Sequence, residues 1–215
     1  MQLNLYNQSF ILSEHKALFW LEQKMLIIAD AHFSKETHFR KNGVAIPAGI
    51  LHNDLNRLET LIDTFNPGQI LFLGDMFHSE ENDGMNEFLE WRKSFSSLKI
   101  KLVIGNHDIL HKNWYDLALI ECIESNLQIE NIILSHDKLI IEDNTILNLY
   151  GHIHPGILLR GKAKQSLRLP CFWFSKNYGA LPAFGRFTGY VTVHPKKGDK
   201  IFVIGDEKVF DLNGN

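Results

Sequence analysis

The chain has 215 residues, 45% apolar and 22% charged, enough for one sizeable core over residues 1–215 and short for two independent domains. No apolar run approaches the roughly 18–20 residues that span a bilayer, and the opening MQLNLYNQSF lacks the basic and apolar regions of a secretory signal, so a cytoplasmic protein with no membrane partner is expected. The formal charge of −3 hides an asymmetry: residues 160–200 hold nine Lys/Arg against one acid, a net +8, while the remainder is −11.

In chain order, Leu3–Leu5 and Leu18–Trp20 read as strands. Met25–Ala29 is the first of five short apolar runs; the others are Ile70–Leu73, Lys101–Ile104, Ile132–Leu134 and Ile146–Tyr150. Their length and Ile/Leu/Val content predict strands buried on both faces. Between the first two, Leu51, Leu55, Leu58, Leu61, Ile62 and Phe65 share one helical face, and Asn66-Pro67-Gly68 ends that helix. A second helical pattern runs through Phe88, Leu89, Trp91, Phe95 and Leu98. Past Ser166 short strands return, at Cys171–Phe174, Tyr190–Val193, Ile201–Ile204 and Lys208–Phe210. The pattern predicts an α/β protein with two packed sheets flanked by helices. Cys122 and Cys171 lack CxxC spacing and read as reduced thiols.

Each of the five apolar runs is followed at once by metal-competent residues: Asp30-Ala31-His32, Gly74-Asp75-Met76-Phe77-His78, Gly105-Asn106-His107-Asp108, Ser135-His136-Asp137 and Gly151-His152-Ile153-His154. A lone His or a lone Gly-Asp is usually structural. Five clusters at the carboxyl ends of five buried strands would converge on one site. Asp30 and His32, like His152 and His154, are two residues apart, so in an extended segment each pair points to one side.

DxH, GDxxH, GNHD, a separate His and GHxH together resemble the full signature of calcineurin-like metallophosphoesterases. The resemblance implies a calcineurin-like double β-sandwich of two mixed sheets with helices outside. It also implies that Asp30, His32 and His154 hold one metal, that Asn106, His136 and His152 hold a second, and that Asp75 bridges them. Mixed Asp, His and Asn ligands suit two divalent ions of Mn, Fe or Zn. Such a pair lowers the pKa of a shared water and clamps phosphoryl oxygens, so a bridging hydroxide is expected to attack phosphorus. His107, next to Asn106, should face the cavity as general acid, with Asp108 orienting its ring. His78 would contact the substrate phosphate or steer Asp75.

The loop after Asp30 places Lys35, Arg40 and Lys41 near the metal edge, either gripping phosphate or forming a solvated loop. With the LPAFG-x-FTG stretch at Leu181–Gly189, which contains Arg186, this loop resembles one branch, the bacterial ligase-associated DNA damage response endonucleases. The sequence departs from that pattern at Ser34 and Tyr190, where glycines are expected. The branch implies a Mn²⁺-dependent phosphodiesterase and DNA endonuclease acting in repair beside a DNA ligase and related enzymes. The basic segment carries aromatics, Phe172, Trp173, Phe174, Tyr178, Phe184, Phe187 and Tyr190, that either stack bases or belong to the core. Two other readings stand beside a DNA phosphodiesterase: a small-molecule or nucleotide phosphodiesterase or phosphatase, and a non-catalytic interaction scaffold with a degraded metal site.

Overall fold

A computed structural model describes residues 1–41, 43, 49–78, 83–161 and 165–213, apart from the side chains of residues 37, 38, 41 and 83. The first sheet has seven strands in chain order: β1 (Gln2–Leu5), β2 (Gln8–Leu12), β3 (Leu18–Trp20), β4 (Met25–Ile28), β5 (Gln69–Leu73), β6 (Lys99–Val103) and β7 (Ile120–Ile123). Pairing is antiparallel up to β4 and parallel from β4 to β7. The helices α1 (Lys35–Lys41), α2 (Ile50–Phe65), α3 (Asp83–Ser94) and α4 (Lys112–Leu117) fall within the parallel half, where each crossover needs a helix-length connection.

The second sheet has nine strands: β8 (Asn126–Ile129), β9 (Ile132–Ser135), β10 (Leu147–Tyr150), β11 (Pro155–Arg160), β12 (Ser166–Phe174), β13 (Tyr178–Ala180), β14 (Val191–Thr192), β15 (Lys200–Gly205) and β16 (Lys208–Asp211). It is mixed: β9, β10 and β13 run parallel, while β12 pairs antiparallel with β11 through its first half and with β13 and β15 through its second.

The apolar runs are continuous because each strand serves two cores. Met25 and Ile27 of β4, with Leu71 and Leu73 of β5, point into the seam between the sheets, where they meet Leu134, Leu147, Leu149, Phe172 and Phe174. Leu26, Ile28, Ile70 and Phe72 point the other way, onto Leu51, Leu55, Leu58 and Leu61 of α2, Phe88 and Trp91 of α3 and Trp114 of α4. Alternate residues of a strand face opposite sides, so only an all-apolar strand can fill both layers. The expected two-sheet architecture is present. α2 ends as its sequence requires: Asn66 takes a left-handed conformation (φ 43°) and returns its N–H to Ile62 O at 2.8 Å, and Pro67 follows.

Several boundaries differ from the sequence reading. The second helical pattern stops at Ser94, so Phe95 and Leu98 pack from a turn beyond it. β12 starts at Ser166 rather than Cys171, because its largely exposed first half is held by pairing with β11. Both cysteines are free. Of the seven aromatics in the basic segment, Phe172, Phe174 and Phe184 are buried in the core, whereas Phe187 is exposed. Lys162 and Lys164 and the side chain of Lys41 lie outside the described residues.

Candidate metal centre

The loops that follow β4 and β5 continue the parallel ladder past the strands. His32 N donates to Asp75 O at 2.9 Å and Phe33 N to Met76 O at 2.8 Å. This lacing sets Asp30 and His32 beside Asp75. From the opposite flank, Phe184 N donates to Ala29 O and Gly185 N to Asp30 O, tying the Leu181–Gly189 stretch to the same loop. Across the seam, both oxygens of Asp30 accept the backbone N–H of His152, at 3.0 and 2.9 Å.

Two groups of donor atoms result, each drawn together within 4.8 Å: Asp30, His32 and His154 in one, Asp75, His136 and His152 in the other. In the first, His154 Nε2 is 3.4 Å from His32 Nε2 and 3.5 Å from Asp30 Oδ1. In the second, His136 Nε2 lies 2.9 Å from Asn106 Oδ1, 3.1 Å from His152 Nδ1 and 3.5 Å from Asp75 Oδ1. The other oxygen of Asp75 is 3.8 Å from His32 Nε2, so this carboxylate faces both groups.

The donor set fits a cation. His136 Nδ1 is 2.9 Å from the carbonyl of Leu73 and donates to it, so in the neutral ring Nε2 presents its lone pair. That lone pair confronts the amide oxygen of Asn106 and a carboxylate oxygen, an arrangement of acceptors that a positive ion resolves. Burial pushes the His32 imidazole down to about 2, with Lys35, His154, His78 and His107 acting in the same direction, so it stays neutral and able to ligate.

The expectation that Asp30 and His32, and His152 and His154, converge because their segments are extended is corrected. All four have positive φ (52°, 46°, 65° and 46°), as does Asp75 (50°). Left-handed backbone is uncommon outside glycine and costs roughly 1–3 kcal/mol per residue, so such positions cluster where function demands them. Ser34 also has positive φ (66°), which explains why a glycine would suit this position; serine holds the same turn. Gly74 (φ 75°) sits so close to the His136 ring that any Cβ there would overlap it.

His107 belongs to neither donor group. Its backbone N–H binds Asp75 Oδ1 at 2.9 Å, and its ring lies 5.4 Å from that of His32 and 4.8 Å from that of His78. Asp108 does not orient that ring. One oxygen of its buried carboxylate accepts Met76 N (2.9 Å) and Phe77 N (3.2 Å), and the other accepts Gly105 N (2.9 Å). Its chemistry is therefore to lace the loops after β5 and β6 together. Burial pushes its pKa up to about 7 against the pull of those N–H groups.

His78 Nδ1 lies 3.3 Å from His32 Nδ1. Lys35 is half-buried at the start of α1, where burial lowers its pKa and Asp75 partly restores it. Arg40 and Arg186 are exposed. Asp137 is exposed, 3.6 Å from His152 Nδ1.

Asp54 and Arg57 belong to none of the sequence motifs. Arg57 Nη2 binds Asp54 Oδ1 at 3.0 Å and also the Phe184 carbonyl, and the guanidinium sits 4.0 Å over the Phe184 ring. Asp54 Oδ2 accepts Arg186 N at 3.3 Å. The pair thus anchors the segment that touches Asp30. An acid inside the apolar stripe of α2 was the available signal.

The sequence matches the calcineurin-like phosphoesterase family over residues 24–204. No curated protein matches. Among solved structures, the nuclease MPE of Pseudomonas putida is 28% identical, with 99% of each chain covered and a TM-score of 0.80. A protein of unknown function from Aquifex aeolicus is 24% identical over 60% of this chain and 78% of that one, with a TM-score of 0.44. Yfce, a phosphoesterase from E. coli, is 12% identical over 89% of this chain and 99% of that one, with a TM-score of 0.47. The fold and the paired donor groups define a metal-dependent phosphoesterase, which sets the scaffold alternative aside. The chain belongs to the calcineurin-like phosphoesterase family.

Proposed function

We propose that this protein is a phosphodiesterase that uses two divalent ions, manganese foremost, to cut DNA. The observation that carries this reading is the position of Asp75: its two oxygens face two separate donor groups, and one of them also receives the N–H of His107. Asp30, His32 and His154 would hold one ion, Asn106, His136 and His152 the other, with Asp75 between them. Ions held there supply a water of lowered pKa and offset the charge of the phosphoryl oxygens.

The remaining chemistry belongs to side chains. His107 stands beside the donor groups without joining them, placed to give a proton to the departing alkoxide. His78, Lys35, Arg40 and Arg186 lie on the segments that border the centre, where cationic and hydrogen-bonding groups hold phosphate oxygens. The DNA substrate is supported by likeness to a bacterial nuclease along nearly the whole chain. By resemblance to the ligase-associated repair endonucleases, the enzyme works in the cytoplasm beside a DNA ligase. Among the described residues no helix is long and apolar enough to cross a membrane.

The test is a Mn²⁺-dependent cleavage assay on single-stranded and stem-loop DNA, run beside a chromogenic diester and monoester, for the parent and Asp75→Ala. Metal-dependent nicking by the parent alone is the expected result. Strong diester turnover with no nicking would move the substrate to a small phosphodiester.

A further inference from the structure

The line of rings that begins at the metal centre continues outward past the groups given a role so far. His78 packs against His32 and His107, at 5.2 and 4.8 Å between ring centroids. Phe39 of α1 stacks on His78, 6.1 Å away with the planes only 17° apart. Phe187, from the loop after β13, meets Phe39 edge to face at 5.8 Å. The outermost ring is 39% exposed, a large apolar surface left in water at the outer end of this line of rings. The two phenylalanines are 148 positions apart in the chain and come from different elements, so their meeting is not a local accident of sequence. Each has an exposed arginine as its chain neighbour, Phe39 with Arg40 and Phe187 with Arg186.

We propose that Phe39 and Phe187 form a stacking ledge for an unpaired nucleobase that flanks the phosphate being cut, with Arg40 and Arg186 taking the backbone phosphates on either side. This deepens the DNA reading above and rests on it. An aromatic face beside cationic groups is the combination that holds single-stranded nucleic acid, because every base has a π-face and every linkage a negative charge. A base within a duplex is already stacked on both sides and cannot use the ledge.

The experiment compares two single strands of equal length in Mn²⁺: oligo-dT, and a strand in which a tetrahydrofuran abasic analogue replaces every nucleoside. Both present the same diesters and the same charge. The parent should cut oligo-dT with a kcat/KM about tenfold or more above the base-free strand, the size of one stacked base. Phe187→Ala and Phe187→Leu should each lose that preference, the second while keeping apolar bulk. Phe187→Trp should retain it.

A parent that cuts both strands equally, or alanine and leucine variants that keep the parent's preference, would overturn the ledge and leave the nuclease reading intact. A parent that hydrolyses a chromogenic diester and cuts neither strand would overturn the DNA reading, and the ledge with it.

Discussion

Asp75 Oδ1 accepts the backbone N–H of His107 at 2.9 Å. The carboxylate that faces both donor groups thereby also fixes the loop carrying the proposed acid. Asp75→Ala should remove all three functions at once. The expected outcome is diesterase activity at the assay background and a fall in bound Mn by elemental analysis, with the circular dichroism spectrum unchanged.

His107→Ala separates the acid from the metals. Turnover should fall roughly 10²–10⁴-fold while metal content stays at the parent's level. The loss should shrink on diesters with a nitrophenolate leaving group, which departs without needing a proton. Loss of metal in step with activity would show His107 to be structural instead.

Gly74→Ala tests how the second donor group is built. The added methyl overlaps the His136 ring, and the residue would be held at φ 75°. His136 must then leave both Leu73 O and its position facing Asn106. Weaker Mn binding by calorimetry and activity near background are expected, although no ligand has been changed.

Arg57→Ala removes the hydrogen-bonded charged partner of the nearly buried Asp54 carboxylate and frees the Phe184 carbonyl. Breaking one half of a buried pair costs about 3–5 kcal/mol. Urea unfolding should show a loss of that order. An Asp54→Leu/Arg57→Met double variant should recover part of it.

Lys16 supplies a pH signature. Burial, with repulsion from Arg57 and Arg186, lowers its pKa from the ordinary 10.5 to about 8, and Asp54 opposes the shift only in part. Below about pH 8 both folded and unfolded chains hold the proton. Between about 8 and 10.5 only the unfolded chain does, so this group makes stability rise with pH across that window. Lys16→Met should stabilise the protein at pH 7 by on the order of 1 kcal/mol, after discounting for solvent screening. It should also flatten the rise, as read from unfolding midpoints at several pH values.

What could be read from the sequence follows from how many neighbours a segment must satisfy. Met25–Ile28 fills two cores and so is apolar throughout, which made β4 and its parallel partners visible. β2 was hidden because Gln8 stands at an inward position, where its side chain accepts the Trp20 indole N–H at 2.9 Å. α1 has a polar sequence, KETHFRK, and is anchored by Glu36 accepting Leu51 N–H rather than by an apolar stripe. The metal-competent residues were visible as polar clusters closing apolar runs. Their left-handed backbone was not: Asp and His enter that region more readily than most residues, but only the tertiary contacts decide at which positions they do. Neither was the role of Asp108, whose three N–H partners come from loops that only tertiary structure brings together.

Neither sheet holds a complete donor group. Asp30 and His32 follow β4 while their companion His154 follows β10; Asp75 follows β5 while His136 and His152 follow β9 and β10. Ions bound there would rivet one half of the sandwich to the other, and affinity for them becomes a gauge of how well the halves dock. Truncating Leu71 or Leu149, wholly apolar and deep in the seam, would register first as leakage of metal from a centre that neither residue touches.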